Sequence, residues 1–301
     1  MSSPIEVIIN AGSGSVEREE TERRLTQLFE ENGVGANISM ATSGEEIIAF
    51  AEKAAGGNAE IIVAGGGDGT ISAVAAPVIK ARKTLGILPL GTLNNFSKDL
   101  RIPQDLTEAV RIIVEGNAKQ IDVGEVNNRI FVNNSSIGLY PSIVRRRERQ
   151  QRLGRGKWRS AFWAALKILK RTPFFAVKLE TENGERIVKT PFVFIGNNQY
   201  EMDFFNIGRR SKLDDGKLSV YFLHKHGRRG LFTLFLRTIF GRLRQAKDFE
   251  EINIGEIRIE TRKKQMLVAF DGEVEFLETP LYYKIHPKVL RVIVPPETDE
   301  T

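Results

Sequence analysis

Between residues 6 and 115, short apolar runs alternate with segments of helical period, and this alternation constrains the chain more than any other feature. E-V-I-I-N (6–10), N-I-S-M-A (37–41), I-I-V-A (61–64) and T-L-G-I-L-P (84–89) predict strands, and residues 15–31, 43–55, 70–81 and 105–115 predict helices. Strand–helix alternation at this spacing implies βαβ units on a parallel sheet. Such sheets bind ligands outside the carboxyl ends of their strands. One such end stands out. After I-I-V-A the chain reads G-G-G-D-G-T (65–70), with four glycines in five residues where a plain turn needs one or two.

The pattern changes after Gly116. Short strand-like runs then dominate: I-D-V-G-E-V, R-I-F-V-N-N, F-F-A-V-K-L-E, P-F-V-F-I-G-N, K-L-S-V-Y-F-L and, near the end, E-I-R-I-E-T, M-L-V-A-F, L-Y-Y-K-I and V-L-R-V-I-V-P. Helical insertions are expected near 141–170 and 228–244. The expected architecture is an α/β N-terminal domain with a parallel sheet between helices, then an antiparallel β-sandwich, with the boundary near residue 120. A chain of 301 residues with 41% hydrophobic content is comfortable as two domains. Without cysteine it has no disulfides or thiolate metal sites. The N-terminus lacks a basic n-region and an apolar core, so no signal peptide is expected. No run reaches the roughly 18 apolar residues of a bilayer span, so a soluble cytoplasmic protein is expected. The net charge of +6 suits an anionic partner and selects none in particular.

Glycines at a strand end let backbone approach a ligand closely, and the following helix N-terminus presents free N–H groups and a positive dipole end, a combination suited to phosphate. Neither a P-loop nor a G-x-G-x-x-G fingerprint is present. Asp68 would repel a phosphate unless a cation lies between them, so it argues for Mg²⁺ or for a carboxylate facing a hydroxyl. The plainer alternative is a tight turn in which Asp68 caps Thr70 and Ile71.

A second stretch, L-P-L-G-T-L-N-N-F (88–96), also falls at a predicted strand end. G-G-G-D-G-T followed by L-P-L-G-T-x-N-x-F resembles the catalytic domain of the diacylglycerol kinase and sphingosine kinase superfamily, and more narrowly its soluble bacterial members. I-I-N-A-G-S-G (8–14) is similar to the family's opening element, with Ala11 in place of proline. L-D-D-G-K-L (213–218) and F-D-G-E (270–273) are similar to its late acidic motifs, and V-L-R-V-I-V-P to its closing strand. One departure is Asn95, where the family usually has aspartate. G-G-D-G-T alone is shared with NAD kinases.

The resemblance implies a nucleotide-binding domain over 1–120, a lipid-substrate β-sandwich over 121–287 and a terminal strand, 288–301, returning to the first domain, with the active site between the domains. It places ATP phosphates on the backbone of Gly66, Gly67, Asp68, Gly69, Thr70, Ile71 and Ser72, with Asn10, Gly12, Ser13 and Gly14 assisting. Thr42 and Thr92 are similar to nucleotide-contacting positions. Asn94 either positions a phosphate or braces the loop. Glu273 matches the family's proton acceptor, although D-G before it is also a strong type I′ hairpin signal. Asp271 would help orient the site. Asp215, with the carbonyls of Lys212 and Lys217, matches a structural Mg²⁺ position; a plain D-G turn is the alternative.

Two stretches bear on the membrane. Residues 145–159 hold eight basic residues against one acid, and 228–244 place Phe232, Phe235, Leu236, Ile239, Phe240 and Leu243 on one helical face among arginines. The second reads equally as an interfacial helix or as a helix packed on a sheet. The expected function is an ATP- and Mg²⁺-dependent lipid kinase acting on diacylglycerol or a related glycerolipid. It would be peripherally associated with an anionic membrane, with no nucleic-acid partner and with a homodimer as a candidate assembly. An NAD kinase-like phosphotransferase and a non-catalytic nucleotide- or lipid-binding protein are the alternatives.

Overall fold

The computed structural model describes residues 5–11, 15–138, 141, 174–202, 207–210, 212–223 and 249–296. The chain forms two compact units, one of Met1–Val123, Leu213–Asp215 and His286–Thr301, the other of Gly124–Lys212 and Gly216–Ile285.

In the first unit β1 (Ile5–Asn10), α1 (Ser15–Glu31), β2 (Ala36–Ala41), α2 (Gly44–Gly56), β3 (Ile61–Gly66), α3 (Asp68–Lys80), β4 (Thr84–Pro89), α4 (Asn95–Asp99) and α5 (Leu106–Glu115) follow one another. The strands lie in the order β2-β1-β3-β4, all parallel. A parallel sheet buried on both faces needs continuous rather than alternating apolar runs, and Ile62, Val63 and Ala64 are all fully buried. α3 buries Ile71, Val74, Ala75 and Val78, a single helical stripe. The connection from β1 to β2 runs to one side, and β3 lies on the other side of β1. The carboxyl ends of β1 and β3 therefore form the topological switch point, where open α/β sheets leave a crevice. The glycine cluster stands there.

The second unit is antiparallel. One sheet runs β14 (Phe249–Ile254), β13 (Leu218–Leu223), β10 (Phe192–Asn197), β7 (Asn134–Gly138), β16 (Gln265–Phe270), β17 (Glu273–Glu278). Another runs β9 (Gly184–Thr190), β8 (Phe175–Thr181), β15 (Glu256–Thr261) and the first part of β18 (Leu281–Val294). β5 (Asn117–Val126) ends in a hairpin with β6 (Arg129–Phe131), turning at Asn127 and Asn128 with φ of 44° and 66°. β11 (Tyr200–Met202) pairs with β12 (Ile207–Arg210). Val193, Ile195 and Val220 of one sheet share a single core with Val177, Ile259 and Leu281 of the other, so this unit is the expected sandwich. Tyr283, in the same core, bonds Ser135 Oγ through its hydroxyl at 3.1 Å, and burial pushes that hydroxyl above the usual tyrosine range.

Two local expectations are corrected. L-Y-Y-K-I and V-L-R-V-I-V-P are not separate strands but one, β18, which passes through Lys288 at φ 54°. The Lys288 N–H there donates to the buried Asp122 carboxylate at 2.8 Å, and further along Arg291 and Val292 pair parallel with Thr84 and Leu85. α3 also starts at Asp68, two residues before the expected start. Apart from Pro141, the helical insertions expected near 141–170 and 228–244 lie outside the described residues, as do the basic run and the apolar helical face they contain. Among the described residues no helix is long and apolar enough to cross a membrane.

Candidate active site

The glycines at the β3–α3 junction answer a demand for space. None of Gly65, Gly66 and Gly67 has positive φ. A Cβ on Gly66 would sit 2.5 Å from Thr70 Oγ1, and one on Gly91 would sit 2.3 Å from Gly67 Cα. The two glycine-bearing loops, after β3 and after β4, thus touch backbone to backbone. Asn10, at the end of β1, donates from Nδ2 to Thr70 Oγ1 at 3.2 Å and closes the third side.

Asp68 does not cap α3. It is that helix's first residue, after Gly67 as N-cap. Its carboxylate turns to the neighbouring loop and accepts from the N–H groups of Asn95 (3.2 Å) and Phe96 (2.9 Å). These are the first two amides of α4, whose own N-cap, Asn94, is left-handed (φ 51°) and makes no side-chain cap. Asp68 therefore caps α4 from another helix, and its charge falls at a dipole end that favours it. The Asp68 carboxylate thus faces main-chain amides of the neighbouring loop.

The amides without intrahelical partners span fewer residues than the expected range. The Ile71 N–H donates to Gly67 O at 3.1 Å, and Ser72 lies one residue further into the helix, so neither is a free donor for phosphate. Helix geometry leaves the amides of Gly67, Asp68, Gly69 and Thr70 without intrahelical partners. Asn94 braces the loop: its Nδ2 donates to Pro89 O (3.0 Å) and Gln104 Oε1 (3.1 Å), while Oδ1 is buried without a hydrogen-bond partner. Gln104 in turn donates to Ser97 Oγ and Ile102 O, a bracing role with no signal in the sequence. Thr92 is exposed in the loop between β4 and α4. Gly12, Ser13 and Gly14 lie outside the described residues.

Thr42 follows β2, and the neighbouring Ala11 N–H donates to Ala41 O at 2.9 Å. The Thr42 N–H and hydroxyl both donate to Glu46 Oε2 (2.6 and 2.8 Å), while Ser43 Oγ accepts from the Glu46 N–H (3.2 Å). This reciprocal arrangement resembles a capping box at the start of α2. The Thr42 backbone N–H, first, and its hydroxyl hold the Glu46 carboxyl below its ordinary value. A depressed folded-state value means stability that is complete above the ordinary value of 4.5 and lost as pH falls through the folded value. The gap in Tm between wild type and Glu46→Gln is therefore expected to shrink below about pH 4.5. A gap unchanged down to pH 3 would show that the carboxylate charge plays no part.

In the second unit Asp271 and Gly272 form the two-residue turn between β16 and β17, with φ of 48° and 90° and with Phe270 paired to Glu273. Two positive φ values mark the type I′ turn. Glu273 is exposed as the first residue of β17. Asp271 is buried, and its carboxylate accepts from the N–H groups of Val132 (2.6 Å), Asn133 (2.8 Å) and Asn134 (3.1 Å). Through these main-chain bonds Asp271 holds the turn against the segment 132–134.

Lys212, Asp215 and Lys217 are exposed in the loop before β13, and Gly216 has φ 68°. The Lys217 carbonyl already accepts from the Asn198 N–H at 3.0 Å, which leaves one lone pair. Among the described residues no three His, Cys, Asp or Glu side chains gather as a metal site. A cation held here would rest on one carboxylate, main-chain carbonyls and water, a hard-oxygen set suited to Mg²⁺.

Fold and loops define an α/β domain with a glycine-rich strand–helix junction, followed by a β-sandwich. Residues 4–126 match the model of the diacylglycerol kinase catalytic domain, and residues 136–294 match that of the YegS C-terminal NAD kinase β-sandwich-like domain. The chain belongs to the diacylglycerol kinase family, in the type that carries a YegS-like C-terminal domain. It is 33% identical over 144 residues to a probable lipid kinase YegS-like of Klebsiella pneumoniae, covering 47% of this chain and about half (48%) of that relative. It is 26% identical over 212 residues to a diacylglycerol kinase of Staphylococcus aureus, covering 66% and 67%. A crystal structure provisionally described as a diacylglycerol kinase of Bacillus anthracis superposes with a TM-score of 0.73 at 24% identity, covering 97% of each chain, a likeness of fold.

Proposed function

We propose that this protein is a lipid kinase that moves the γ-phosphate of ATP to a lipid hydroxyl, with diacylglycerol or a related glycerolipid as acceptor, at an anionic membrane surface. One observation carries the reading. At the switch point of a parallel sheet, the first-turn amides of α3 have no intrahelical partners, while the only carboxylate of the loop is drawn aside to cap α4. That arrangement suits the phosphates of a nucleotide. The names of the relatives point to the same acceptor class.

In this reading the amides of Gly67–Thr70 hold phosphate oxygens, and the braces of Asn94 and Asp68 keep the two loops in place. Glu273 takes the proton of the acceptor hydroxyl as its oxygen bonds to the γ-phosphorus and the bond to the β–γ bridging oxygen breaks, releasing ADP. Charge on the phosphate oxygens would be neutralised by Mg²⁺ bound with the nucleotide; Asp215 with the carbonyls of Lys212 and Lys217 would hold a separate, structural Mg²⁺. Residues 1–120 with the terminal strand would serve the nucleotide and 121–287 the lipid. The protein would be cytoplasmic and peripheral, without a nucleic-acid partner, and a homodimer is a candidate assembly.

Incubation with labelled ATP, Mg²⁺ and separate acceptors tests this. Label is expected in diacylglycerol or another glycerolipid. Label in NAD instead would favour the NAD kinase-like alternative. ATP binding without transfer to any acceptor would indicate a binding protein. For the membrane, each basic residue near an anionic surface is worth about 1 kcal/mol, fading within a Debye length of about 8 Å. Changing Arg145, Arg146 and Arg147 to Glu is expected to lower activity on vesicle-borne lipid and to spare a short-chain soluble analogue. Equal loss on both would assign the basic run to the active site or the fold.

A further inference from the structure

The turn that carries Glu273 is fixed by a polar network reaching to Arg210. Tyr200 and Arg210 are paired directly across the β11–β12 hairpin. The guanidinium lies over the tyrosine ring, 5.4 Å from its centroid, and the arginine is 4% exposed. A buried cation is costly unless its donors are used. Nη1 donates to the carbonyls of Val132 (2.7 Å) and Asn197 (3.1 Å), and Nη2 donates to Asn133 Oδ1 (2.7 Å).

The peptide group joining Val132 to Asn133 is therefore held at both ends. Its oxygen accepts from Arg210 and from Asn197 Nδ2 (2.8 Å), and its N–H donates to the Asp271 carboxylate at 2.8 Å. The next peptide group repeats the pattern. Its oxygen accepts from the Tyr200 hydroxyl and the Asn197 N–H, both at 2.9 Å, and its N–H donates to Asp271 at 3.1 Å. In the first of these groups a buried cation at the oxygen end and a buried carboxylate at the N–H end polarise one peptide, so each hydrogen bond strengthens the other. Asp271 is the first turn residue, and Glu273 leaves the turn two residues later.

We propose that Arg210 is a positioning residue for phosphoryl transfer: through the peptide groups of 132–134 and Asp271 it sets the rotation of the Asp271–Gly272 turn, and with it the point from which Glu273 reaches the acceptor hydroxyl. The proposal rests on the reading of Glu273 as proton acceptor. A base works only within about 2.6–3.2 Å of the oxygen it deprotonates, and misplacement by about 1 Å costs on the order of 10²-fold. The planar fork of arginine serves three divergent acceptors, whereas lysine keeps the charge and loses the fork.

The test is a double-mutant cycle of Arg210→Lys with Glu273→Gln, following kcat, KM for ATP and the urea midpoint of each variant. Arg210→Lys is expected to lower kcat about 10-fold and leave KM for ATP within about twofold. In the Glu273→Gln background the same change is expected to lower kcat by less than about twofold, while its effect on the urea midpoint is the same in both backgrounds. An equal loss of kcat in both backgrounds would make Arg210 merely structural and overturn the proposal. Should Arg210→Lys fail to fold, Tyr200→Phe, which keeps the ring and removes one hydrogen bond to Asn133, takes its place with the same expected pattern. If Glu273→Gln alone keeps wild-type kcat, the proton-acceptor reading fails and this proposal falls with it. A slow Glu273→Gln variant whose cycle shows no coupling overturns only the role of Arg210.

Discussion

Glu273→Gln is expected to lower kcat roughly 10²- to 10⁴-fold, with KM for ATP close to wild type. The substitution keeps the volume of the side chain and removes only its capacity to take a proton. At 1.36 kcal/mol per decade the loss corresponds to about 3–5 kcal/mol of transition-state stabilisation. Glu273 is exposed at the start of β17, and the type I′ turn before it is formed by Asp271 and Gly272, which the variant retains. Stability should therefore change little, and a thermal melt run beside the kinetics separates lost chemistry from lost fold. A raised KM for ATP with unchanged kcat would assign Glu273 to binding and remove it from the chemical step.

Asp68→Ala is expected to reduce turnover at least about 10²-fold and also to destabilise the first unit. The sequence alone suggests a variant with an intact fold, since no core packing is lost. The structure changes that expectation, because the carboxylate caps α4 through the Asn95 and Phe96 amides. Hydrogen bonds to a charged group contribute about 1.5–3 kcal/mol, and loss of a helix cap costs about 0.5–2 kcal/mol. Freed from Asp68, the loop after β4 would move against Gly67, and shifts of about 1 Å at a phosphate-binding loop are costly to rate. Asp68→Asn retains one acceptor oxygen for the Phe96 N–H and should recover part of the stability. Kinetics and denaturant midpoints on the three proteins check both parts. Normal turnover by the alanine variant would sink the role of this loop in the reaction.

Much of this architecture was legible before any coordinates. The strand runs at 6–10, 37–41, 61–64 and 84–89 and the helices between them rest on local periodicity, which depends on neighbours three or four residues away. β9 and β17, by contrast, are edge strands with Arg186 and Phe276 among their exposed residues. Their polar and interrupted patterns carry little periodic signal. The runs on either side of His286, Pro287 and Lys288 look like two strands, because no local rule foretells that a buried Asp122 will receive the Lys288 N–H and carry the chain through.

At the site, local sequence is enough to set the residue types that chemistry needs and their place at strand ends and turns: the glycines and Asp68 after β3, Asn94 after β4, and D-G-E between two strands. Tertiary structure alone decided what each side chain does there. Asp68 bonds amides 27 and 28 residues away, and Asp271 bonds amides 137 to 139 residues away. A carboxylate has no intrinsic preference between a phosphate-bound cation, a hydroxyl and a main-chain N–H. Which of these it meets depends on burial and on donors brought by distant segments. For that reason Glu273 and Asp271, two residues apart, end with opposite fates: one exposed at the start of β17, the other buried with its carboxylate on main-chain amides.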